Sequence, residues 1–214
     1  DPFGSDFGGQ FPKLSDQPSD DVRGGLSTCK ICENRFKATH TAHAPRPIVW
    51  FKKAPKILIA GQAPGLRVHD SGRPYTDASG DRLRQWLGIS EDVFYDRDQI
   101  AIVPMAFCFP GYNAAGSDLP PPPICAKTWR AQALAFHTKT RLTLLVGGHA
   151  QRWHLKTKEP VNTVVGNWQN APPGILPLPH PSWRNTGWLK RNPWFERDVI
   201  VWLRQQVRDI LEAR

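Results

Sequence analysis

The chain has 214 residues, of which 40% are hydrophobic, and a formal charge of +9. That length suits one medium domain with a sizeable core. No stretch approaches the roughly 20 consecutive apolar residues of a membrane helix. The start of the chain lacks the basic-then-apolar order of a secretory leader, so a cytoplasmic protein is expected. The positive balance selects a polyanionic partner, nucleic acid before a membrane surface. Nine tryptophans supply rings that can stack on bases, although most are expected in the core.

Residues 1–24, rich in Gly, Asp, Ser and Pro with few aliphatics, read as a flexible N-terminal arm, and residues 25–214 as one domain. Cys29–Phe36 is predicted as a short helix after Ser27 and Thr28, both good caps. Lys56–Ala60, closed by Gly61, is a short apolar run of the kind that forms a buried parallel strand. A Gly- and Pro-rich loop over 61–80 leads to a helix over Asp81–Leu87, with Leu83, Trp86 and Leu87 on one face. Gln99–Met105 is a second strand, followed by a Pro/Gly-rich loop over 109–123 and a helix over Ala126–His137. Arg141–Val146 is a third strand ending at Gly147-Gly148, with a helix over His149–Leu155. Gly174–Leu178 is a fourth strand, and Trp194–Ala213 a closing amphipathic helix. Strands alternating with helices predict a three-layer α/β/α fold around a four-stranded, mainly parallel sheet. Ligands of such sheets sit at the carboxyl ends of the strands.

Three motifs fall at those ends. Gly61-Gln62-Ala63-Pro64-Gly65 turns the backbone sharply and lets it approach a ligand, though an ordinary strand-to-helix turn reads the same way. Gly72-Arg73-Pro74-Tyr75-Thr76-Asp77 holds an aromatic ring in a rigid loop, as a pocket wall or as a cover for the core edge. His180-Pro181-Ser182 fixes an imidazole at a strand end, where it can donate a hydrogen bond to developing negative charge. Four cysteines accompany them: Cys29 and Cys32 at ligand-pair spacing, and Cys108 and Cys125 wide apart. Four is the number that closes a tetrahedral metal or cluster site. Free thiols, zinc and an iron–sulfur cluster all remain open on the residues alone.

The ordered set of three motifs resembles the uracil-DNA glycosylase superfamily over about residues 27–212. Within it, the cysteine arrangement is similar to that of the thermophile-type branches, which hold a [4Fe-4S] cluster. The resemblance implies an enzyme that flips a uracil, or a related deaminated base, out of DNA and hydrolyses its N-glycosidic bond for base excision repair. It implies His180 as donor to the departing base, Tyr75 as the ring stacked on it, and Gly61, Ala63, Pro64 and Gly65 as binding loop. Gln62 orients water, and Asp77 is the candidate to activate it, with His69 or Asp70 as substitutes. Aspartate is also a favoured helix cap. Uracil-selective relatives carry an Asn where this chain has Pro104, so hypoxanthine or xanthine is an alternative substrate, and Asn113 is a candidate reader of the base. Ser182, Trp183, Arg184, Asn185, Lys190 and Arg191 are expected against DNA, with Trp183, Trp188 and Leu189 as candidate wedges. Cys29, Cys32, Cys108 and Cys125 are implied as cluster ligands, with zinc as the alternative. A monomer acting on DNA, with no membrane, is expected. Two other readings are a cluster-containing binding protein that has lost its chemistry and a zinc-stabilised nucleotide- or RNA-binding domain.

Overall fold

The computed structural model describes residues 21–213. Four short strands, β1 (Ile57–Ala60), β2 (Ile100–Ile102), β3 (Leu142–Val146) and β4 (Ile175–Leu178), form one sheet in the order β2-β1-β3-β4, and every pair is parallel. Parallel strands are covered on both faces and so consist of near-continuous apolar residues. Here all of β1 and β2 is buried. Alternate residues serve opposite layers: Ile57 and Ile59 pack into one core, Leu58 and Ala60 into the other. The result is a three-layer α/β/α fold. Pro177 interrupts the fourth strand opposite Leu145. It is tolerated because β4 is an edge, where a missing N–H leaves no neighbour unpaired.

The helices in chain order are α1 (Asp21–Ser27), α2 (Glu33–Lys37), α3 (Leu66–Ser71), α4 (Ala78–Leu87), α5 (Glu91–Phe94), α6 (Pro123–Cys125), α7 (Ala131–Leu134), α8 (Gly148–Leu155), α9 (Val161–Gly166), α10 (Thr186–Arg191) and α11 (Val201–Glu212). A π-helical turn (Ala126–Arg130) joins α6 to α7, and another (Phe195–Ile200) leads into α11. Leu83, Trp86 and Leu87 of α4 pack with Leu203, Val207 and Ile210 of α11 on one face of the sheet. Leu26, Ala133 and Ala150, from α1, α7 and α8, cover the other.

Several local expectations are corrected. Residues 1–20 of the expected arm lie outside the described residues, and the last four residues assigned to it, 21–24, belong to the helix α1. Ser27 and Thr28 do not cap the next helix; their hydroxyls donate backwards to the carbonyls of Arg23 (2.7 Å) and Gly24 (3.1 Å). The helix predicted over Cys29–Phe36 is the shorter α2. The second strand stops at Ile102, although the amides of Val103 and Met105 still bond to the carbonyls of Ile59 and Gly61 (both 2.9 Å). Pro104 between them has no N–H to contribute.

From β1 the chain crosses to β2 on one side, and from β3 to β4 on the other. The crevice at the carboxyl ends of β1 and β3 is therefore the switch point where this architecture places ligands.

Candidate active site

Gly61–Gly65 leaves β1 directly into this crevice. The carbonyls of Gly61 and Gln62 accept from the amides of Met105 (2.9 Å) and Ala106 (3.1 Å), which stitches the loop to the chain beyond β2. The amides of Gln62 and Ala63 have no acceptor among the described residues, and both residues line the cavity. They are donors held ready in the wall.

Tyr75 sits opposite, in a left-handed conformation (φ 56°) unusual for a non-glycine residue. Its carbonyl is held by the Tyr95 hydroxyl (3.0 Å) and Arg84 Nη1 (3.1 Å). Two glycines make room for it. A Cβ at Gly80 would lie 1.9 Å from the Tyr75 carbonyl oxygen, and one at Gly61 would lie 2.7 Å from the Tyr75 hydroxyl. Burial pushes the phenol pKa above its ordinary value, with Asp77 adding to the shift, so the hydroxyl stays neutral. The ring lines the cavity and packs edge-on against Phe94 (5.9 Å).

His180 follows β4 between two prolines. The Ser182 amide donates to its Nδ1 (3.1 Å), which assigns the ring proton to Nε2. Burial lowers the imidazole pKa, while Asp77 and Asp118 pull the other way. The net direction is downward from the ordinary value of about 6.5, so the ring is a neutral Nε2–H donor at pH 7. The turn around it is braced. Asn185 Nδ2 donates to the His180 carbonyl (2.7 Å), and Arg82 of α4 donates to the Ser182 carbonyl (2.9 Å) and Thr186 Oγ1 (3.0 Å).

These parts enclose one cavity of about 670 Å³. It gathers Gly61, Gln62, Ala63, Pro64, Gly65, Tyr75, Asp77, His180, Ser182, Trp183, Arg184 and Asn185, together with Trp50, Pro104 and Asp118. Asp77 has a double position: it lines the cavity, and its carboxylate accepts from the Gly80 amide (3.2 Å) as the N-cap of α4. Other candidates are not brought there. Asn113 is exposed, and its carboxamide oxygen closes its own loop on the amides of Ala115 and Ser117 (both 3.0 Å). His69 packs on His43 (5.3 Å) outside the cavity, and the Asp70 carbonyl holds Arg46 (2.8 Å). Lys190 and Arg191 stand exposed on α10, beyond the cavity wall. Of the three wedge candidates, Trp188 packs on Trp194 and Phe195, and Leu189 packs on the core. Trp183 alone projects, 72% exposed, at the rim.

Sequence reasoning did not single out Asp118 or Arg82. Asp118 is brought to the mouth of the cavity, still open to solvent, because Tyr112 and Asp118 pair across the base of the 109–123 loop. Burial and Asp77 raise its pKa, against the opposing charge of Arg184 and His180.

The four cysteines line one apolar hollow with Leu26, Phe36, Phe107 and Trp129, and none is in a disulfide. Trp129 Nε1 donates to Cys29 Sγ (3.4 Å). Burial, with nearby thiols adding, pushes Cys108 up to about 12 and Cys125 to about 11. Among the described residues no three His, Cys, Asp or Glu side chains are placed to close on one ion. No helix among them is long and apolar enough to cross a membrane. A family model described as the Uracil DNA glycosylase superfamily matches residues 49–204.

Proposed function

The chain belongs to the Uracil DNA glycosylase superfamily, whose model covers well over half of it, and we propose that it hydrolyses the N-glycosidic bond of uracil, or a related deaminated base, in DNA. The observation that carries this reading is the neutral His180 ring, its proton on Nε2, sharing one cavity with Tyr75 and the unpaired amides of Gln62 and Ala63.

A base in duplex DNA must leave the stack to reach such a cavity. Its planar face stacks on Tyr75, and its oxygens take the two amides. As the bond to the sugar lengthens, negative charge grows on the base and positive charge on the deoxyribose. His180 Nε2–H stabilises the growing anion without reorganising, because its partner, its tautomer and its backbone are already set. Trp183 at the rim fills the space the base leaves. Arg184, Lys190 and Arg191 contact phosphates, a sequence-blind and salt-dependent attraction.

A second reading concerns the base. Pro104 lines the cavity and offers no side-chain donor to a Watson–Crick edge. This favours a pocket that also accepts hypoxanthine or xanthine.

The cysteine hollow suits a [4Fe-4S] cluster better than zinc. A cluster's thiolates stand apart around a core, whereas one tetrahedral ion draws its ligands together. The buried Arg130, without a carboxylate partner among the described residues, lies within electrostatic reach of Cys125, and a thiolate there balances it. Cys29, Cys32, Cys108 and Cys125 would hold the cluster, which would tie the turn between α1 and α2 and the end of α6 to the chain beyond β2.

The test is base release from oligonucleotides carrying uracil, hypoxanthine or xanthine. His180→Ala should lower release by on the order of 10² or more while DNA binding persists. A wild-type protein that shifts oligonucleotides but releases no base would overturn the enzyme reading in favour of a binding protein.

A further inference from the structure

We propose that Asp118 is the carboxylate that holds and deprotonates the attacking water. The assignment rests on the glycosylase reading above. A water that attacks C1′ needs an acceptor with free lone pairs, open to the cavity and on the scale of one nucleoside from the group that receives the departing base. Among the described residues, two carboxylates line the cavity, Asp77 and Asp118. Asp77 already accepts from the Gly80 amide to start α4. Gln62 also lines the wall, but an amide does not titrate. The Asp118 carboxylate accepts no hydrogen bond from the described residues and is open to solvent.

The backbone that carries it is rigid. Tyr112 and Asp118 form an antiparallel bridge, Leu119 donates to the Gly111 carbonyl (2.8 Å), and Asn113 to the Ser117 carbonyl (2.9 Å). A carboxylate on such a neck can position a water without first ordering a loop. The groups that face it are His180, Arg184, Asp77 and Tyr112. Arg184 and His180 favour its charged form, whereas its partial burial against the cavity wall and Asp77 raise its proton affinity above that of an ordinary carboxylate.

The charges then separate in one direction across the cavity. The C1′–N bond breaks with its electron pair going to the base, beside His180. The sugar cation forms on the Asp118 side, where a negative group stabilises it. The water oxygen bonds to C1′, its proton passes to Asp118 and on to solvent, and the base anion takes a proton from water as it leaves.

Single-turnover release from a uracil-containing oligonucleotide tests this, with DNA affinity and the pH–rate profile read in parallel. Asp118→Asn should slow release by on the order of 10² or more, remove the acid limb of the profile, and change DNA affinity little. Its thermal midpoint should not move, because the side chain makes no internal bond. Asp77→Asn, which keeps a good helix cap, is the comparison. A wild type that releases uracil, with Asp118→Asn within threefold of it or Asp77→Asn the slower variant, overturns the Asp118 assignment and leaves the glycosylase reading standing. A wild type that releases no base overturns both.

Discussion

Replacing Gly80 by alanine probes how the Tyr75 wall, on which the base is proposed to stack, is held. The added Cβ would lie 1.9 Å from the Tyr75 carbonyl oxygen, 2.6 Å from its carbonyl carbon and 2.9 Å from its Cβ. Ordinary contact begins near 3.4 Å, so the gap to the oxygen must open by about 1.5 Å. Neither side yields easily. Tyr95 donates to the carbonyls of Pro74 and Tyr75 (2.6 and 3.0 Å), Arg84 adds a bond to Tyr75, and Leu83, Trp86 and Leu87 seat α4 in the core. Overpacking of this kind costs about 1–3 kcal/mol. The better helix propensity of alanine returns roughly 0.5–1 kcal/mol of that, so net destabilisation is expected. At about 2–4 °C per kcal/mol for a domain of this size, the thermal midpoint should fall by a few degrees. Misplacing the tyrosine by about 1 Å should cost on the order of 10² in single-turnover base release. Differential scanning fluorimetry and a quenched-flow release assay measure the two effects. An unchanged midpoint together with an unchanged rate would refute the placement of Tyr75 against the first turn of α4. A lower midpoint with full activity would show that the helix, not the wall, absorbs the strain.

Trp183→Ala should leave stability within about 0.5 kcal/mol, because the side chain is 72% exposed, yet slow release from duplex more than from single-stranded DNA; equal effects on both substrates would remove the wedge role. If the cysteine hollow holds the proposed cluster, Cys108→Ala should abolish bound iron and visible absorption and lower the thermal midpoint, and a coloured variant of wild-type midpoint would contradict the proposed ligand set. Burial, with Arg130 adding, holds His137 down at about 4 and His154 at about 3. The unfolded chain therefore takes up protons below about pH 6.5 that the folded chain refuses. Stability is complete above that pH and lost as it falls toward 4 and then 3, so the urea midpoint should drop between pH 7 and 4.5. Both ring nitrogens of His137 are buried without a partner, and His137→Phe should raise stability by about 1 kcal/mol and flatten the acid slope; a steeper slope would show that His137 is protonated in the fold.

Much of the fold was legible because its signals are local. Each strand is a short apolar run ended by Gly or Pro, and such runs between helical stretches admit little besides a covered parallel sheet. The motif loops were placed correctly for the same reason, since they follow strands directly. Shorter elements left no trace. Leu66–Ser71 and Val161–Gly166 bury one residue each, Val68 and Val165, too few to set up a period. Arg82 reads as an ordinary solvent-facing arginine, because its partners, Ser182 and Thr186, lie about 100 residues away. Asp118 and Asn113 show the same limit in opposite senses. Both are polar residues in one loop, and only the pairing of Tyr112 with Asp118 decides which carries its side chain to the cavity. Asp77 could be read as cap or as site residue, and it occupies both positions.

The arrangement of buried polar groups explains why this edge of the sheet is stiff enough for chemistry. Strand carbonyls that run past the last ladder bond still need partners once they are buried. Among the described residues only two polar side chains are fully buried, Arg130 and Gln151, each 1% exposed. Both serve that need at the carboxyl ends of strands. Gln151 Nε2 donates to the carbonyls of Leu145 (3.1 Å) and Leu178 (2.9 Å), joining β3 to β4 two residues before His180. Arg130 Nη1 donates to the carbonyls of Val103 (3.1 Å) and Pro104 (2.9 Å), fixing the cavity wall beyond β2. Burying a guanidinium is costly unless its donors are satisfied. Arg130 meets this in part: Nη2 donates to His154 Nε2 (2.6 Å) and the guanidinium lies over the face of Trp153 (5.1 Å), while Nε is buried without a hydrogen-bond partner; its pKa, lowered to about 10 by burial, still leaves it charged at pH 7. Apolar packing alone would leave the carbonyls of Val103 and Pro104 to seek water and the Leu178 carbonyl with only its bond from the Gly147 amide (2.9 Å), and the loops that carry Pro104 and His180 would be held less firmly.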